Sequence, residues 1–175
     1  MNNKLHVYTG EGKGKTTAAM GLALRSLGHG NRVLVAQFMK NGISGELKAL
    51  ERFENARVLT APPMKKFVFR MSESEKVEAK GEQSAFAAQL LDEIADFRPQ
   101  LCVFDELNVA LKYGMLDEEI AGKLILTALS FAETACTGRD APTWLTDRAD
   151  YVSRIQAEKH PFTTEGLPAR KGVEW

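Results

Sequence analysis

Short apolar runs and longer amphipathic segments alternate along this chain. The short runs, rich in Val, Leu, Ala and Phe and typical of buried or half-buried strands, are residues 5–8, 32–38, 56–60, 101–105, 132–136 and 151–157. The amphipathic segments, with apolar residues on one helical face, are residues 16–27, 45–53, 73–97, 117–130 and 143–148. Strands that alternate with helices predict an α/β fold: a mostly parallel sheet with right-handed crossovers and helices on both faces.

Two segments fit neither pattern. Residues 64–70 follow the chain-breaking Ala61-Pro62-Pro63 and mix lysines with phenylalanines, and residues 159–175 carry glycines, prolines and basic side chains. We expect both segments to be irregular. Because no repeat, low-complexity tract or linker divides the sequence, the pattern predicts one domain over residues 1–175.

A glycine-rich segment joins the first predicted strand to the first predicted helix. It consists of Thr9, Gly10, Glu11, Gly12, Lys13, Gly14, Lys15, Thr16 and Thr17. Glycines let successive backbone N–H groups point into one concavity at the positive end of the helix dipole, so the segment predicts a polyphosphate site. In such a loop Lys15 reaches the outer phosphates and the Thr16 hydroxyl binds magnesium. The match to G-x-x-x-x-G-K-[ST] is complete at its Gly-Lys-Thr end but has Thr9 in place of the first glycine.

A second candidate feature is a pair of acids, Asp105 and Glu106, at the end of the apolar run 101–105. In phosphate-loop proteins an acid at this place holds magnesium directly or through water. The alternative is that both acids are ordinary surface groups at the end of a strand. The phosphate loop upstream favours the metal role, and the spacing leaves open which acid contacts the ion.

The composition excludes several classes of function. The chain has 23 basic and 23 acidic residues and no net charge, so it has no global attraction for nucleic acid or for an anionic membrane. No apolar run is long enough to span a bilayer, and the first residues lead directly into a strand, so we expect a cytoplasmic protein. Cys102 and Cys136 lie in apolar runs and are expected to be buried thiols rather than metal ligands.

Several blocks, in order along the chain, carry a resemblance to a known family. They are residues 9–19, Gln37-Phe38-Met39-Lys40, residues 45–51, residues 105–114, Thr137-Gly138-Arg139 and Lys171-Gly172-Val173-Glu174-Trp175. With these blocks the chain resembles the corrinoid adenosyltransferases of the CobA/BtuR/CobO type. The block at residues 105–114, DELNVALKYG, is far more specific than the phosphate loop. The resemblance implies a P-loop NTPase fold with a RecA-like core.

The resemblance also implies an activity. The enzyme would transfer the 5′-deoxyadenosyl group of ATP to the cobalt of a Co(I) corrinoid and release triphosphate, in the synthesis or salvage of adenosylcobalamin, the vitamin B12 coenzyme. Because Co(I) is itself a strong nucleophile, no side chain has to be activated to attack carbon. By resemblance the catalytic residues are Lys15, Thr16 and Glu106, and the Mg²⁺ ligands are Thr16 and Glu106 together with Asp105.

Further site residues and partners follow from the same resemblance. It implies ATP contacts by the whole phosphate loop and by Arg139, and corrinoid contacts by Phe67, Phe69 and Asn108. Aromatic residues in this loop of the family press on the corrinoid and help to displace its lower axial base. The loop here lacks the family's common tryptophan, and the chain starts close to its first strand without the family's helical lid, so we expect a more open corrinoid site. The implied partners are a flavoprotein reductant such as flavodoxin and a second copy in a homodimer.

Other interpretations remain open on the sequence alone. Phe67 and Phe69, at alternate positions, could share one strand face and fill a core. Asn108, Lys112 and Tyr113 could simply cap and flank a helix. For the whole protein the alternatives are a P-loop nucleoside or small-molecule kinase and a nucleotide-dependent binding module. The sequence has too few cysteines for a four-cysteine zinc lobe and no Asn-Lys-x-Asp guanine-binding motif, which disfavours both.

Overall fold

The computed structural model describes residues 2–40 and 42–174. Within them the strands are β1 (Leu5–Thr9), β2 (Val33–Gln37), β3 (Ala56–Thr60), β4 (Leu101–Asp105), β5 (Glu133–Thr137) and β6 (Tyr151–Arg154). The helices are α1 (Lys15–Gly28), α2 (Gly45–Leu50), α3 (Glu73–Phe97), α4 (Leu107–Lys112), α5 (Glu118–Phe131), α6 (Thr143–Arg148) and α7 (Pro161–Glu165), with a 3₁₀ turn at Val68–Arg70. Met1 and Trp175, the ends of the expected domain, lie outside the described residues.

The strands form one sheet in the order β3-β2-β4-β5-β1-β6, and every pairing is parallel. The predicted parallel α/β architecture is therefore confirmed. β5 lies between β1, which leads into the phosphate loop, and β4, which ends in the two acids. The register places Gln37 of β2 opposite Asp105 of β4, and Tyr8 of β1 opposite Thr137 of β5. The polar strand ends thus meet at one edge of the sheet.

Alternate residues of the central strands pack on opposite faces of the sheet. Along β2, Val33 and Val35 belong to a core with α1 and α2, whereas Leu34 and Ala36 belong to a second core with α3, α4, α5 and α6. Both faces of β2 and β4 are completely buried, which explains their uninterrupted apolar sequences. The helices therefore cover both faces of the sheet, as predicted.

Helix α3 has the predicted bounds at both ends. Its N-terminus is closed by a capping box, in which the Ser72 side chain accepts from the Glu75 N–H and the Glu75 carboxylate accepts from the Ser72 N–H. Its C-terminus is closed by Arg98 in the left-handed conformation, directly before Pro99. The predicted apolar side of α3 is buried at Phe86, Leu90 and Ile94.

Four elements differ from the prediction by more than one residue. Helix α2 ends at Leu50, three residues before its predicted end, because the chain continues as turns. Helix α4 was not expected because its six residues follow the strand β4 without an intervening loop. Strand β6 stops at Arg154, three residues earlier than predicted, because the chain then turns to pack on the phosphate loop through the bond from Gly12 N–H to Ile155 O. The tail, expected to be irregular, contains α7, which begins at Pro161, where the proline ring fixes a helical φ.

The cysteines lie where their apolar neighbours predicted. Cys102 and Cys136 are both completely buried free thiols in the second core. Burial raises the pKa of each thiol, which favours the protonated form at neutral pH. Among the described helices, none combines the length and the apolar character that crossing a bilayer requires.

Candidate active site

The phosphate loop wraps around the side chain of Lys15. Its Nζ donates hydrogen bonds of 2.7 Å to the carbonyl oxygens of both Gly10 and Gly12. Burial, and to a lesser extent the positive charge of Arg139, lowers the pKa of Lys15. The loop therefore holds a partly buried ammonium group at the start of α1, ready for an anionic ligand.

Two glycines of the loop meet specific backbone requirements. Gly14 has a φ of 118° where α1 begins, a conformation that L side chains rarely adopt. A Cβ on Gly10 would lie 2.4 Å from the carbonyl oxygen of Ile155, the first residue after β6. The absence of a side chain at Gly10 therefore permits close packing of the loop on the segment that follows β6. Thr9 is buried at the end of β1, and its hydroxyl accepts a hydrogen bond from the Ala141 N–H.

Asp105 is completely buried at the end of β4 and is surrounded by donors. It accepts hydrogen bonds from Thr16 Oγ1 at 2.8 Å, Thr137 Oγ1 at 2.6 Å and Gln37 Nε2 at 2.8 Å. Burial works against the ionised carboxylate, but Lys40 and these three hydrogen bonds together hold the pKa of Asp105 below its ordinary value. The alternative of an ordinary surface acid is therefore wrong for Asp105.

Glu106, unlike the buried Asp105, lines the cavity beside the phosphate loop. Its backbone is left-handed, with a φ of 61°, and its N–H donates to Thr137 Oγ1. The turn separates the last residue of β4 from the first residue of α4, so two consecutive acids come to lie in different environments. One is internal and the other is accessible to a ligand.

Non-glycine residues with positive φ end three adjacent strands at this edge of the sheet. Met39 follows β2 with a φ of 59°, Glu106 follows β4 with 61°, and Asp140 follows β5 with 50°. Each such conformation costs about 1–3 kcal/mol, and strained backbone of this kind clusters at functional sites. Of these three residues, Glu106 itself lines the cavity beside the phosphate loop.

That cavity has a volume of about 920 Å³, which suits a nucleotide. It brings together most of the predicted ATP-site residues: Glu11, Gly12, Lys13, Gly14, Lys15, Thr16, Thr17, Glu106 and Arg139. Arg139 Nε lies 3.4 Å from Glu11 Oε2 at the rim. The lining does not include Thr9, Gly10 and Asp105, which lie behind the residues that face the cavity.

A second cavity, of about 670 Å³, adjoins the first. Its walls include Phe67 and Phe69, whose rings stack at 5.5 Å between centroids and whose residues are 69% and 75% exposed. This exposure excludes the interpretation that they fill a core. Four residues border both cavities: Lys40, Glu106, Val109 and Tyr113.

Asn108 lies beneath the site rather than in its lining. It is completely buried in α4, and its Nδ2 donates to the carbonyl oxygens of Tyr8 at 3.3 Å and Gly138 at 3.1 Å. These bonds tie α4 to the ends of β1 and β5. The corrinoid contact implied by resemblance stays a prediction, and the structure places the side chain away from both cavities. Lys112, the last residue of α4, and Tyr113, its C-cap, do line the first cavity, and Lys112 also pairs with Asp140.

The C-terminal segment contributes residues to which the sequence analysis gave no role. Val173 and Glu174 line the nucleotide-sized cavity, and the Glu174 carboxylate lies 2.9 Å from Lys13 Nζ of the phosphate loop. Arg170, then Lys13, lowers the pKa of Glu174 to about 2. His160 lines the same cavity, and its Nδ1 accepts from the Phe162 N–H as the cap of α7.

Gln37 and Lys40 also belong to the site, although only their block had been noted in the sequence. Their signal was positional, since they lie at the end of β2, beside Asp105 and Glu106 at the end of the neighbouring strand β4. Lys40 Nζ lies 3.0 Å from Asp105 Oδ2, 3.2 Å from Glu106 Oε1 and 3.4 Å from Thr16 Oγ1. Burial disfavours the charged ammonium, but the attraction of the two carboxylates outweighs it and raises the pKa of Lys40.

These oxygens fit a magnesium ion. Thr16, Asp105 and Glu106 supply only oxygen ligands, which Mg²⁺ prefers, and all three already converge on one cationic group. Among the described residues no group of three or more His, Cys, Asp or Glu side chains could hold a metal by itself. Mg²⁺ bound here would need additional oxygens from a substrate phosphate or from water.

Comparisons with known proteins agree with this site. The family of ATP:corrinoid adenosyltransferases BtuR/CobO/CobP matches residues 2–175. A corrinoid adenosyltransferase of Pseudomonas aeruginosa is 37% identical over 98% of this chain and 83% of that protein. The corrinoid adenosyltransferase CobA of Salmonella typhimurium is 31% identical over 97% of this chain and 84% of that protein.

A solved structure, the cytoplasmic domain of EssC, shares the fold with a TM-score of 0.51. It is 14% identical, over 99% of this chain and 37% of that one. This likeness concerns the fold alone. The family match and the two relatives cover nearly the whole sequence, including the phosphate loop, both acids and the aromatic segment. The chain belongs to the ATP:corrinoid adenosyltransferase family.

Proposed function

We propose that this protein binds MgATP in the cavity beside the phosphate loop and a Co(I) corrinoid in the adjoining aromatic cavity, and transfers the 5′-deoxyadenosyl group from one to the other. The observation that carries the proposal is the shared wall of the two cavities, formed by Lys40, Glu106, Val109 and Tyr113. A nucleotide at the loop and a ligand in the aromatic cavity would therefore lie next to each other.

The transfer is a displacement at the C5′ carbon of ATP. The electron pair of Co(I) forms the Co–C5′ bond, the bond from C5′ to the phosphate oxygen breaks, and its electrons leave with the triphosphate. No proton has to be removed from the nucleophile, so no general base is required. The protein contributes by aligning the two substrates and by stabilising the charge of the departing triphosphate.

Lys15 is the principal residue for that stabilisation. Its ammonium lies inside the loop at the start of α1, where it donates hydrogen bonds to the carbonyl oxygens of Gly10 and Gly12. Lys13 and Arg139 line the same cavity and add positive charge at its rim. Cations that are already in place need little reorganisation when negative charge develops on the leaving group.

Thr16 and Glu106 would hold the Mg²⁺ ion, and Asp105 would orient Thr16 through their hydrogen bond. When bound, the ion would neutralise part of the triphosphate charge. Glu106 is suited to direct contact because it lines the cavity, whereas Asp105 is completely buried behind it.

The exposed pair Phe67 and Phe69 would contact the flat corrinoid ring. The two stacked, exposed rings offer an apolar surface to a ligand and contribute little to the hydrophobic core. By family expectation these residues displace the lower axial base and so ease the reduction of cobalt to Co(I). We infer that a flavoprotein such as flavodoxin supplies the electron, and that the protein acts as a homodimer in the cytoplasm.

The decisive experiment follows the products of the wild-type protein. Reduced corrinoid and MgATP should yield the absorption spectrum of a Co–C bonded corrinoid together with an equal amount of inorganic triphosphate. Accumulation of ADP in step with turnover would instead favour a kinase, and binding of ATP without any product would favour a nucleotide-dependent binding module.

A further inference from the structure

The three candidate metal ligands are already in contact with a cation of the protein itself. Lys40 Nζ lies between 3.0 and 3.4 Å from one oxygen each of Asp105, Glu106 and Thr16. The Asp105 carboxylate is completely buried, so Lys40 provides a compensating charge for it. A metal ion bound by the same oxygens would meet this ammonium at contact distance, where two cations repel each other.

The backbone determines this position of Lys40. The N–H of the preceding Phe38 donates to Asp105 O at 2.9 Å, and the completely buried Phe38 ring fixes the end of β2 in the core. Met39 then turns the chain through a left-handed conformation, with a φ of 59°. The Lys40 stem therefore starts beside the carboxylates, while its four-carbon length leaves the ammonium free to move.

We propose that Lys40 is an exchangeable cation of this site, which neutralises Asp105 and Glu106 before nucleotide binds and transfers to the polyphosphate when ATP carries in the metal. The inference rests on the proposed function, because it takes Thr16 and Glu106 as metal ligands and Asp105 as the buried acid that orients Thr16. Lys40 lines the nucleotide-sized cavity together with Lys13 and Lys15, so a bound polyphosphate lies within its range. Metal and nucleotide consequently bind together, and each increases the affinity of the other.

This exchange suits the ligands that the protein supplies. One carboxylate and one hydroxyl leave an octahedral Mg²⁺ ion incomplete until phosphate oxygens arrive. With Lys40 in place, the nucleotide-free protein discriminates against free divalent metal and keeps its buried carboxylate compensated. When ATP binds, its negative phosphates give Lys40 an alternative partner and leave the carboxylates to the metal.

The test measures binding of Mn²⁺, a paramagnetic probe for the Mg²⁺ site, to nucleotide-free protein by electron paramagnetic resonance. Lys40→Met should bind Mn²⁺ about tenfold or more tightly than wild type, the size of effect common for groups next to a metal ligand. Lys80→Met is the matched control, because it removes the same charge from a lysine that pairs with Asp117 outside both cavities. It should bind Mn²⁺ as weakly as wild type.

Two further variants cover the risk that Lys40→Met unfolds. Lys40→Gln removes the charge but can still donate a hydrogen bond to Asp105, and it should also bind Mn²⁺ more tightly. Lys40→Arg retains the charge and should stay weak. With ATP present, the increase in Mn²⁺ affinity should be smaller in Lys40→Gln than in wild type, since chelation by ATP itself is the same for both proteins.

Equal Mn²⁺ affinities of nucleotide-free wild type, Lys40→Met, Lys40→Gln and Lys80→Met would overturn the proposal. That result would leave the proposed function intact, provided that the wild type still forms the adenosylated corrinoid. Absence of this product would contradict the proposed function instead, whatever the Mn²⁺ measurements show. The two failures are therefore distinguishable.

Discussion

The Thr16 hydroxyl donates a 2.8 Å hydrogen bond to the Asp105 carboxylate, joining the first turn of α1 to the end of β4 across the intervening strand β5. The hydroxyl of Thr137, which belongs to β5, donates to the same oxygen. Asp105 is thus the buried centre of a network that sets the position of Thr16, while Glu106 remains accessible. Spacing left open which acid contacts the metal, and on this arrangement we propose that it is Glu106.

Lys15→Ala and Thr16→Ala should each lower adenosyl transfer on the order of a hundredfold or more, because each removes one preorganised contact to the triphosphate or its metal. Single-turnover rates with chemically reduced corrinoid measure the effect. Thr16→Ser is the control, since it keeps the hydroxyl that donates to Asp105, and it should retain most of the activity. Near-normal rates in both alanine variants would mean that the loop does not bind ATP.

Glu106→Gln and Glu106→Gly should both lose activity but differ in stability. The left-handed backbone of Glu106 carries a strain of about 1–2 kcal/mol, which glycine relieves. The greater freedom of glycine in the unfolded chain offsets about 0.5–1 kcal/mol of that gain. Urea denaturation should therefore find Glu106→Gly at least as stable as Glu106→Gln. A clearly less stable glycine variant would show that the strain is not present.

Phe69→Ala should impair the reaction that starts from Co(II) corrinoid and a weak protein reductant, and should impair far less the reaction that starts from Co(I). Reduction to Co(I) itself releases the lower axial base, so the aromatic residue matters before that step. Because Phe69 is 75% exposed, its truncation should change the stability by no more than about 0.5 kcal/mol.

Phe162→Ala is the matched control for this experiment. Phe162 is 66% exposed in α7 and lines neither cavity, so both reactions should proceed at wild-type rates. Equal losses of the two reactions in Phe69→Ala, accompanied by a lower melting temperature, would assign Phe69 a packing role instead.

Glu174 should titrate near pH 2 in the folded protein, below its ordinary value of 4.5. Because the folded pKa is depressed, its contacts with Arg170 and Lys13 contribute fully above pH 4.5 and are lost as the pH falls toward 2. Carbon-detected NMR of the side-chain carboxyl measures the midpoint. Arg170→Met removes the largest cause and should move the midpoint upward; a wild-type midpoint near 4.5 would contradict the tail contacts.

The phosphate loop could be predicted from the sequence because its chemistry is local. Nine consecutive residues contain the glycines, the lysine and the threonine, and the flanking strand and helix follow directly from apolar periodicity. The fold class was equally accessible, since both faces of β2 and β4 are buried and both strands are apolar throughout. Neither inference needed knowledge of long-range contacts.

The positions of Lys40 and Phe69 could not be predicted in the same way. The contact of Lys40 with Asp105 depends on the pairing of β2 with β4, which places Gln37 opposite Asp105 across 68 residues of sequence. The exposure of Phe69 depends on a 3₁₀ turn that no periodic pattern in the sequence predicts. Helix α4 was missed because six residues are too few for a reliable helical period.

The contact between Glu174 and Lys13 has a practical consequence for work with this protein. A bulky group attached at Glu174 would lie beside the phosphate loop, where an affinity tag or a fluorophore could obstruct nucleotide entry. β1 runs from Leu5 toward the loop, so Leu5 lies at the end of the strand that is farther from the phosphate loop. Purification tags and reporter groups are therefore better placed ahead of Leu5, as far from the incoming ATP as the sheet allows.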